Sequence, residues 1–277
     1  MSSISKPEKQ VRITDLLARK TRGPKIAVLT AYDAAMARLL DETGIDVVLV
    51  GDSLGMVALG YDTTIPVTMD DMLHHTRAVR RGVRRALLVS DMPFLSYQVD
   101  IADAVRNAGR LVQEGGAAAV KLEGGVAVAG VISKLVEIGI PVMAHVGLTP
   151  QSVHQLGGFR RVGVTEAERE RVLEDARAVA KAGAFSLVLE SIPHDLAATI
   201  TREIEIPTIG IGAGPHCDGQ VLVSYDMLGL GDYAPPFVRQ YADLGAAVIR
   251  AATEYIADVR SGKFPETAAT PAGAKKK

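Results

Sequence analysis

The sequence predicts a closed (β/α)8 barrel, the TIM-barrel architecture. Three observations carry this reading. Eight short β-rich runs recur along the chain, helical patterns lie between them, and the runs are apolar almost throughout. Strands alternating with helices pair in parallel through right-handed crossovers. A parallel sheet covered on both faces loses the alternation of an exposed sheet and becomes nearly continuous in apolar residues. Eight such units favour a closed barrel over an open doubly wound sheet.

The elements follow in order. "ITDLLARK" (13–20) reads as an extra helix ahead of the first strand, "IAVLTA" (26–31). A helix over "AAMARLLDETG" (34–44) leads to the second strand, "DVVLVG" (46–51), and "ALLVSD" (86–91) is the third. The helix "IADAVRNAGRLVQEGG" (101–116) precedes "AAAVKL" (117–122), and "VAVAGVISKLVEIG" (126–139) precedes "IPVMAH" (140–145). A long helix over 166–183 runs into "FSLVLE" (185–190), followed by "IPTIGI" (206–211). The eighth strand is assigned to "DMLGL" (226–230), the weakest run of the set. Several of these helices end at a glycine, the usual helix stop. Pro236 to about Arg260 reads as one or two closing helices. Residues 11–263 are thus expected to form a single barrel domain, with flexible tails at 1–10 and 264–277.

Composition narrows the class. The apolar fraction is 48%, enough for a sizeable core, and 27 glycines suit many tight connections. The 31 basic and 32 acidic residues nearly cancel, so nothing draws the chain generally to nucleic acid or to an anionic membrane. One cysteine, Cys217, excludes an internal disulfide and fits a reducing compartment. No apolar run approaches membrane-spanning length and the N-terminus lacks a signal-peptide stretch. A soluble cytoplasmic protein is expected.

Polar residues collect at one end of strand after strand. Asp52 follows the second strand in "DVVLVGDSLG", Asp91 ends the third, and Lys121 and Glu123 end the fourth. His145 ends the fifth and Glu190 the sixth. The carboxyl ends of the strands form the active-site rim of such a barrel, so six ionisable groups from five consecutive strands meet at one mouth. Taken singly, each has a plainer reading. Asp52 could cap a helix, Asp91 could form a turn, Lys121 and Glu123 could pair, and His145 could be a satisfied core histidine. Glu190 resists that treatment, because the end of a buried strand is an expensive place for an unpaired acid. Together they outweigh five independent structural explanations.

Three carboxylates without a Cys/His cluster point to a hard divalent cation, magnesium in particular. Zinc is disfavoured, and the pair His74–His75 reads as solvated helix surface. A magnesium ion suits a substrate with adjacent oxygens, such as a 2-oxo acid, whose ketone and carboxylate would chelate it while the neighbouring carbon loses a proton. The glycine run "GIGAGPHCDGQ" (210–220) is a poor dinucleotide signal, since it follows the seventh strand and Pro215 replaces the third glycine. A ligand-binding barrel loop and a structural turn remain equally open there.

Seven stretches resemble the ketopantoate hydroxymethyltransferase family, of the phosphoenolpyruvate/pyruvate-type barrels. They are "LTAYD", "DVVLVGDSLGMVALGYDTTIPVTMDDM", "DMPFLSY", "AVKLEGG", "AHVGLTPQSVHQLGGF", "LVLESIP" and "PTIGIGAGPHCDGQVLV", spread over most of residues 25–240. The resemblance implies that Asp52, Asp91 and Glu123 hold magnesium and that Asp52, Ser53, Asp91 and Lys121 hold the 2-oxo acid. It makes Glu190 the catalytic proton acceptor; His145 is assigned a lesser role in orienting the substrate. It further implies that 3-methyl-2-oxobutanoate takes a one-carbon unit from 5,10-methylenetetrahydrofolate to give 2-dehydropantoate, in pantothenate biosynthesis. A homodecamer of two pentameric rings is the implied assembly. A magnesium-dependent C–C lyase or phosphonomutase of the same barrel type is the alternative.

Overall fold

The computed structural model describes residues 9–231 and 233–265. The expected tails, but for residues 9–10 and 264–265, lie outside the described residues. Eight strands close a barrel in chain order: β1 Ile26–Thr30, β2 Val47–Val50, β3 Leu87–Asp91, β4 Ala119–Glu123, β5 Val142–Gly147, β6 Ser186–Glu190, β7 Thr208–Ile211 and β8 Gly219–Leu222. All eight pairings are parallel, and Ile26↔Gly219 and Val28↔Val221 seal the ring.

Helix α1 (Ile13–Arg19) precedes β1 and α2 (Ala34–Glu42) follows it. The short α3 (Leu54–Val57) and then α4 (Met69–Gly82) follow β2; α5 (Ile101–Gln113) follows β3 and α6 (Ala129–Glu137) follows β4. The short α7 (Val153–Leu156) and then α8 (Glu166–Lys181) follow β5, and α9 (His194–Glu203) follows β6. Starts of these helices are written in the sequence. Thr68 opens α4 and Thr165 opens α8, each in a reciprocal capping box with the acid three residues on, Asp71 or Glu168.

Two expectations are corrected. The eighth strand is Gly219–Leu222, not 226–230; Tyr225–Leu228 belong to a short helix, α10 (Ser224–Leu228). The strand is only four residues long and hides in the glycine run, which joins β7 to β8 directly with no helix between. The closing helix, α11, covers Leu244–Ser261 and leaves 236–243 non-helical.

A two-residue period governs the barrel interior. Leu87 and Val89, Ala119, Met143 and Val188 belong to one buried apolar cluster together with Val28, Val47 and Val221. Because side chains alternate across a strand, the next residues in the same register also point inward: Asp91, Lys121 and Glu123, His145, and Glu190. The apolar plug thus ends in a polar layer at the carboxyl pole.

The compact unit holding the barrel ends at Ser224 and a second begins at Tyr225. The second is built on α11, which Asp243 caps by accepting from the backbone N–H of Ala246. Its loop is tied back by Tyr241 N–H to Met227 O and by Gly245 N–H to Gly229 O, at 2.8 Å each. Among the described residues, no helix is long and apolar enough to cross a membrane.

Candidate active site

Strand register sets the neighbours in the polar layer. Asp91 pairs with Lys121 across β3 and β4, Glu123 with His145 across β4 and β5, and Gly147 with Glu190 across β5 and β6. The contacts follow. Lys121 Nζ lies 3.2 Å from Asp91 Oδ1 and 3.4 Å from His145 Nδ1. His145 Nε2 lies 3.2 Å from Glu190 Oε2, and its Nδ1 lies 3.7 Å from Glu123 Oε1. Both 3.2 Å approaches are close polar contacts without full hydrogen-bond alignment, since Asp91 Oδ1 and His145 Nε2 make no hydrogen bond; only the first is between full charges. Asp52 sits just past β2, where its backbone N–H donates to Asp91 Oδ2 at 3.0 Å. Ser53 follows, its hydroxyl 3.0 Å from that of Tyr32.

Asp52, Asp91, Lys121, Glu123 and His145 are between 2% and 5% exposed, whereas the Glu190 side chain is 16% exposed. The layer therefore faces an opening at Glu190 and is sealed beneath. Buried acids at the opposite pole are fully answered. Asp41 accepts from the backbone N–H groups of Arg84, Arg85 and Ala86, and Asp46 pairs with Arg19 at 2.6 Å. At the mouth, three carboxylates, Asp52, Asp91 and Glu123, act on the single ammonium of Lys121, and Glu190 adds a fourth acid beside His145.

That imbalance shapes the proton affinities. Burial pushes the Asp91 carboxyl up to about 7 despite the nearby Lys121 ammonium. Burial also raises Asp52, again against Lys121. Glu123 is raised well above the usual carboxylate range, by burial and then by the charge of Asp52. Burial alone would weaken the Lys121 ammonium, but Asp91, Glu123 and Asp52 outweigh it and hold the proton more tightly than usual. Burial and then Lys121 lower His145, which is neutral at pH 7.

All seven residues singled out in the sequence lie at this pole, with two adjustments. His145 is not the last residue of its strand, because β5 continues to Gly147. Among the described residues, no three His, Cys, Asp or Glu side chains form a ready-made cage for a metal ion. Asp52 adjoins Asp91, while Glu123 is joined to Asp52 through Gln151, whose side chain donates to Asp52 Oδ2 at 2.8 Å and whose backbone N–H donates to Glu123 Oε2 at 3.0 Å. Sequence reasoning missed Gln151 and its partner Tyr97. Both stand in the quoted stretches "AHVGLTPQSVHQLGGF" and "DMPFLSY", but neither titrates near neutrality, and their partners are 26 to 99 positions away. Elsewhere, His74 is exposed as expected, while His75 Nδ1 meets Tyr32 O at 2.6 Å. In the loop of the glycine run, Lys25 Nζ donates to Cys217 O at 2.8 Å and Gln220 Nε2 to Gly214 O at 2.9 Å.

The sequence profile described as ketopantoate hydroxymethyltransferase matches residues 10–267. The 3-methyl-2-oxobutanoate hydroxymethyltransferase of Geobacter metallireducens is 57% identical over 255 residues, 92% of this chain and 96% of that protein. The enzyme of the same name from Moorella thermoacetica is 57% identical over 258 residues, 93% and 96% of the two chains. Among solved structures, a phosphonopyruvate hydrolase superposes with a TM-score of 0.60 at 16% identity, over 95% of this chain and 92% of that one. A 2,3-dimethylmalate lyase of the PEP mutase/isocitrate lyase superfamily gives 0.60 at 18%, over 94% and 90%. Those two likenesses concern the barrel alone. The profile match and the shared sequence over nine-tenths of the chain assign it: the chain belongs to the ketopantoate hydroxymethyltransferase family of enzymes.

Proposed function

We propose that this enzyme transfers a one-carbon unit from 5,10-methylenetetrahydrofolate to 3-methyl-2-oxobutanoate, giving 2-dehydropantoate, with magnesium at the barrel mouth. One observation carries the reading: Asp52, Asp91 and Glu123 are buried around a single lysine, with more negative charge than Lys121 can balance. The donor set fits magnesium. It is all oxygen, and magnesium usually takes one or two carboxylates, filling its other positions with water and substrate oxygens. A preformed cage of three acids is not required. Asp52, Asp91 and Glu123 are the residues that would hold it. When bound, the ion supplies positive charge beside the C1 carboxylate and C2 ketone, which makes the C3 proton of the 2-oxo acid more acidic.

The chain's own residues do the rest. Lys121 keeps its proton and adds a fixed charge beside the substrate carboxylate. Ser53, its hydroxyl steadied by Tyr32, donates to the same carboxylate. Glu190 stands at the open side of the layer and takes the C3 proton on a carboxylate oxygen, and His145 Nε2 orients that carboxylate. The C3 carbon then bonds to the folate's methylene carbon, both methylene–nitrogen bonds break, a water supplies the hydroxyl of the product, and the C3 proton and the water's remaining proton go to the two folate nitrogens. Incubating the enzyme with 3-methyl-2-oxobutanoate, methylenetetrahydrofolate and magnesium tests this. Folate- and magnesium-dependent 2-dehydropantoate is expected; its absence, or formation without folate, would refute the reading.

A further inference from the structure

We infer that Gln151 is a positioning residue for the cation site, a neutral clamp that aims Asp52 and Glu123 without cancelling their charge. This rests on the magnesium reading above. Gln151 is 4% exposed and every polar atom of its amide is engaged. Nε2 donates to Asp52 Oδ2 at 2.8 Å and to Met92 O at 3.0 Å. Oε1 accepts from Tyr97 Oη at 2.7 Å and from Gln98 Nε2 at 3.1 Å. The backbone N–H of the same residue donates to Glu123 Oε2 at 3.0 Å.

The amide can stand only one way round. Reversed, its oxygen would face the carbonyl of Met92, which has no proton to give, whatever the protonation of Asp52. Gln151 is therefore committed to donating to Asp52, and one oxygen of each acid, Asp52 Oδ2 and Glu123 Oε2, is held by an uncharged donor. The other oxygens, Asp52 Oδ1 and Glu123 Oε1, remain for a cation. A lysine or arginine in this place would orient the acids equally well but would compete with the ion for their charge. Tyr97 braces the clamp from behind: its hydroxyl also accepts from the backbone N–H of Glu123 at 3.0 Å, and burial, then the charge of Glu123, keeps it protonated. The ends of β2 and β4 and the loops after β3 and β5 are thus joined through one neutral residue, by its side-chain amide and its backbone N–H.

The test is Mn2+ binding, read by the loss of the free-ion electron paramagnetic resonance signal in the presence of 3-methyl-2-oxobutanoate. Gln151→Met keeps the volume and removes both side-chain N–H donors while leaving the backbone N–H to Glu123; Gln151→Asn withdraws the amide by one methylene and serves if the first variant does not fold. Circular dichroism and cooperative unfolding establish that each is native. Either variant is expected to bind Mn2+ about 10–100-fold more weakly, the usual loss when a group that orients a metal ligand is removed. Tyr97→Phe keeps the donor to Asp52 and should lose less. A folded Gln151 variant that binds Mn2+ as tightly as the unaltered protein overturns the clamp alone. An unaltered protein that binds no Mn2+ with the 2-oxo acid overturns the magnesium reading, and the clamp with it.

Discussion

Lys121 and His145 stand 3.4 Å apart, Nζ to Nδ1, and the contact dictates where the imidazole carries its proton. An ammonium has no lone pair, so Nδ1 must be the accepting nitrogen and the ring proton must sit on Nε2. That nitrogen faces Glu190 Oε2 at 3.2 Å. Glu123 Oε1 also approaches Nδ1, but at 3.7 Å it lies beyond hydrogen-bond reach. Nitrogen-15 spectra of the imidazole at pH 7 should show a neutral ring in the Nε2–H tautomer. Burial and Lys121 lower the pKa, so the neutral form should persist below the usual titration point of about 6.5. An Nδ1–H pattern would contradict the orienting role given to His145.

Glu190→Gln keeps the shape of the base and removes its proton-accepting oxygen charge. Exchange of the C3 hydrogen of 3-methyl-2-oxobutanoate with solvent deuterium should fall by about 10²–10⁴-fold, the range for loss of a general base. Binding of the 2-oxo acid should survive, because Glu190 is the most exposed acid of the layer and stands apart from Lys121 and Ser53. Exchange at the original rate would remove Glu190 from the step.

What the sequence reveals and what it conceals divide along a physical line. Strand periodicity places Asp91, Lys121, Glu123, His145 and Glu190 at one pole, because they occupy the inward positions that follow the last apolar residue of the plug on each strand. Gln151 escapes the same logic. It sits in a single 3-10 turn, Pro150–Ser152, too short to show a period, and its work is done through hydrogen bonds to residues as distant in sequence as Asp52. The eighth strand fails for another reason. "GQVL" is short, begins with glycine and follows β7 without a helix, while "DMLGL" offers a more apolar run whose first three residues end a short helix. Local composition misleads wherever the ladder, not the residue, defines the strand.

The acid layer should make metal-free stability depend on pH in a particular sense. The folded-state pKa of Asp91 is raised to about 7, so its contribution is fully present below the unfolded value of about 4 and is lost as the pH climbs through 7. The loss is about 4 kcal/mol at most for this group. His145 acts in the opposite sense, below about 6.5, and is common to both proteins compared. Urea unfolding in EDTA at pH 5 and pH 8 should therefore show the original protein weakening relative to Asp91→Asn at the higher pH. Parallel behaviour of the two would mean that Asp91 meets a neutralising partner other than Lys121.

Gly147 is where the backbone, not a side chain, aims the base. Its φ is +98°, and a Cβ there would lie 2.4 Å from Glu190 O and 2.8 Å from Ile192 Cγ2. Glu190 O is also the acceptor for the backbone N–H of Leu148 at 2.9 Å, so it has little freedom to yield. Gly157 offers the control: its φ is +72°, and nothing lies within 4 Å of an added Cβ. Gly157→Ala should cost only the conformational penalty, about 1–2 kcal/mol, and leave turnover intact. Gly147→Ala carries a comparable penalty and a clash with main chain besides. It should lose more stability than Gly157→Ala and at least about tenfold in kcat, since a displacement near 1 Å at a reacting group can cost about a hundredfold. Denaturant unfolding and steady-state rates of the pair separate the two effects. Equal losses of stability with unchanged turnover in both would show that the end of β5 does not set the position of Glu190.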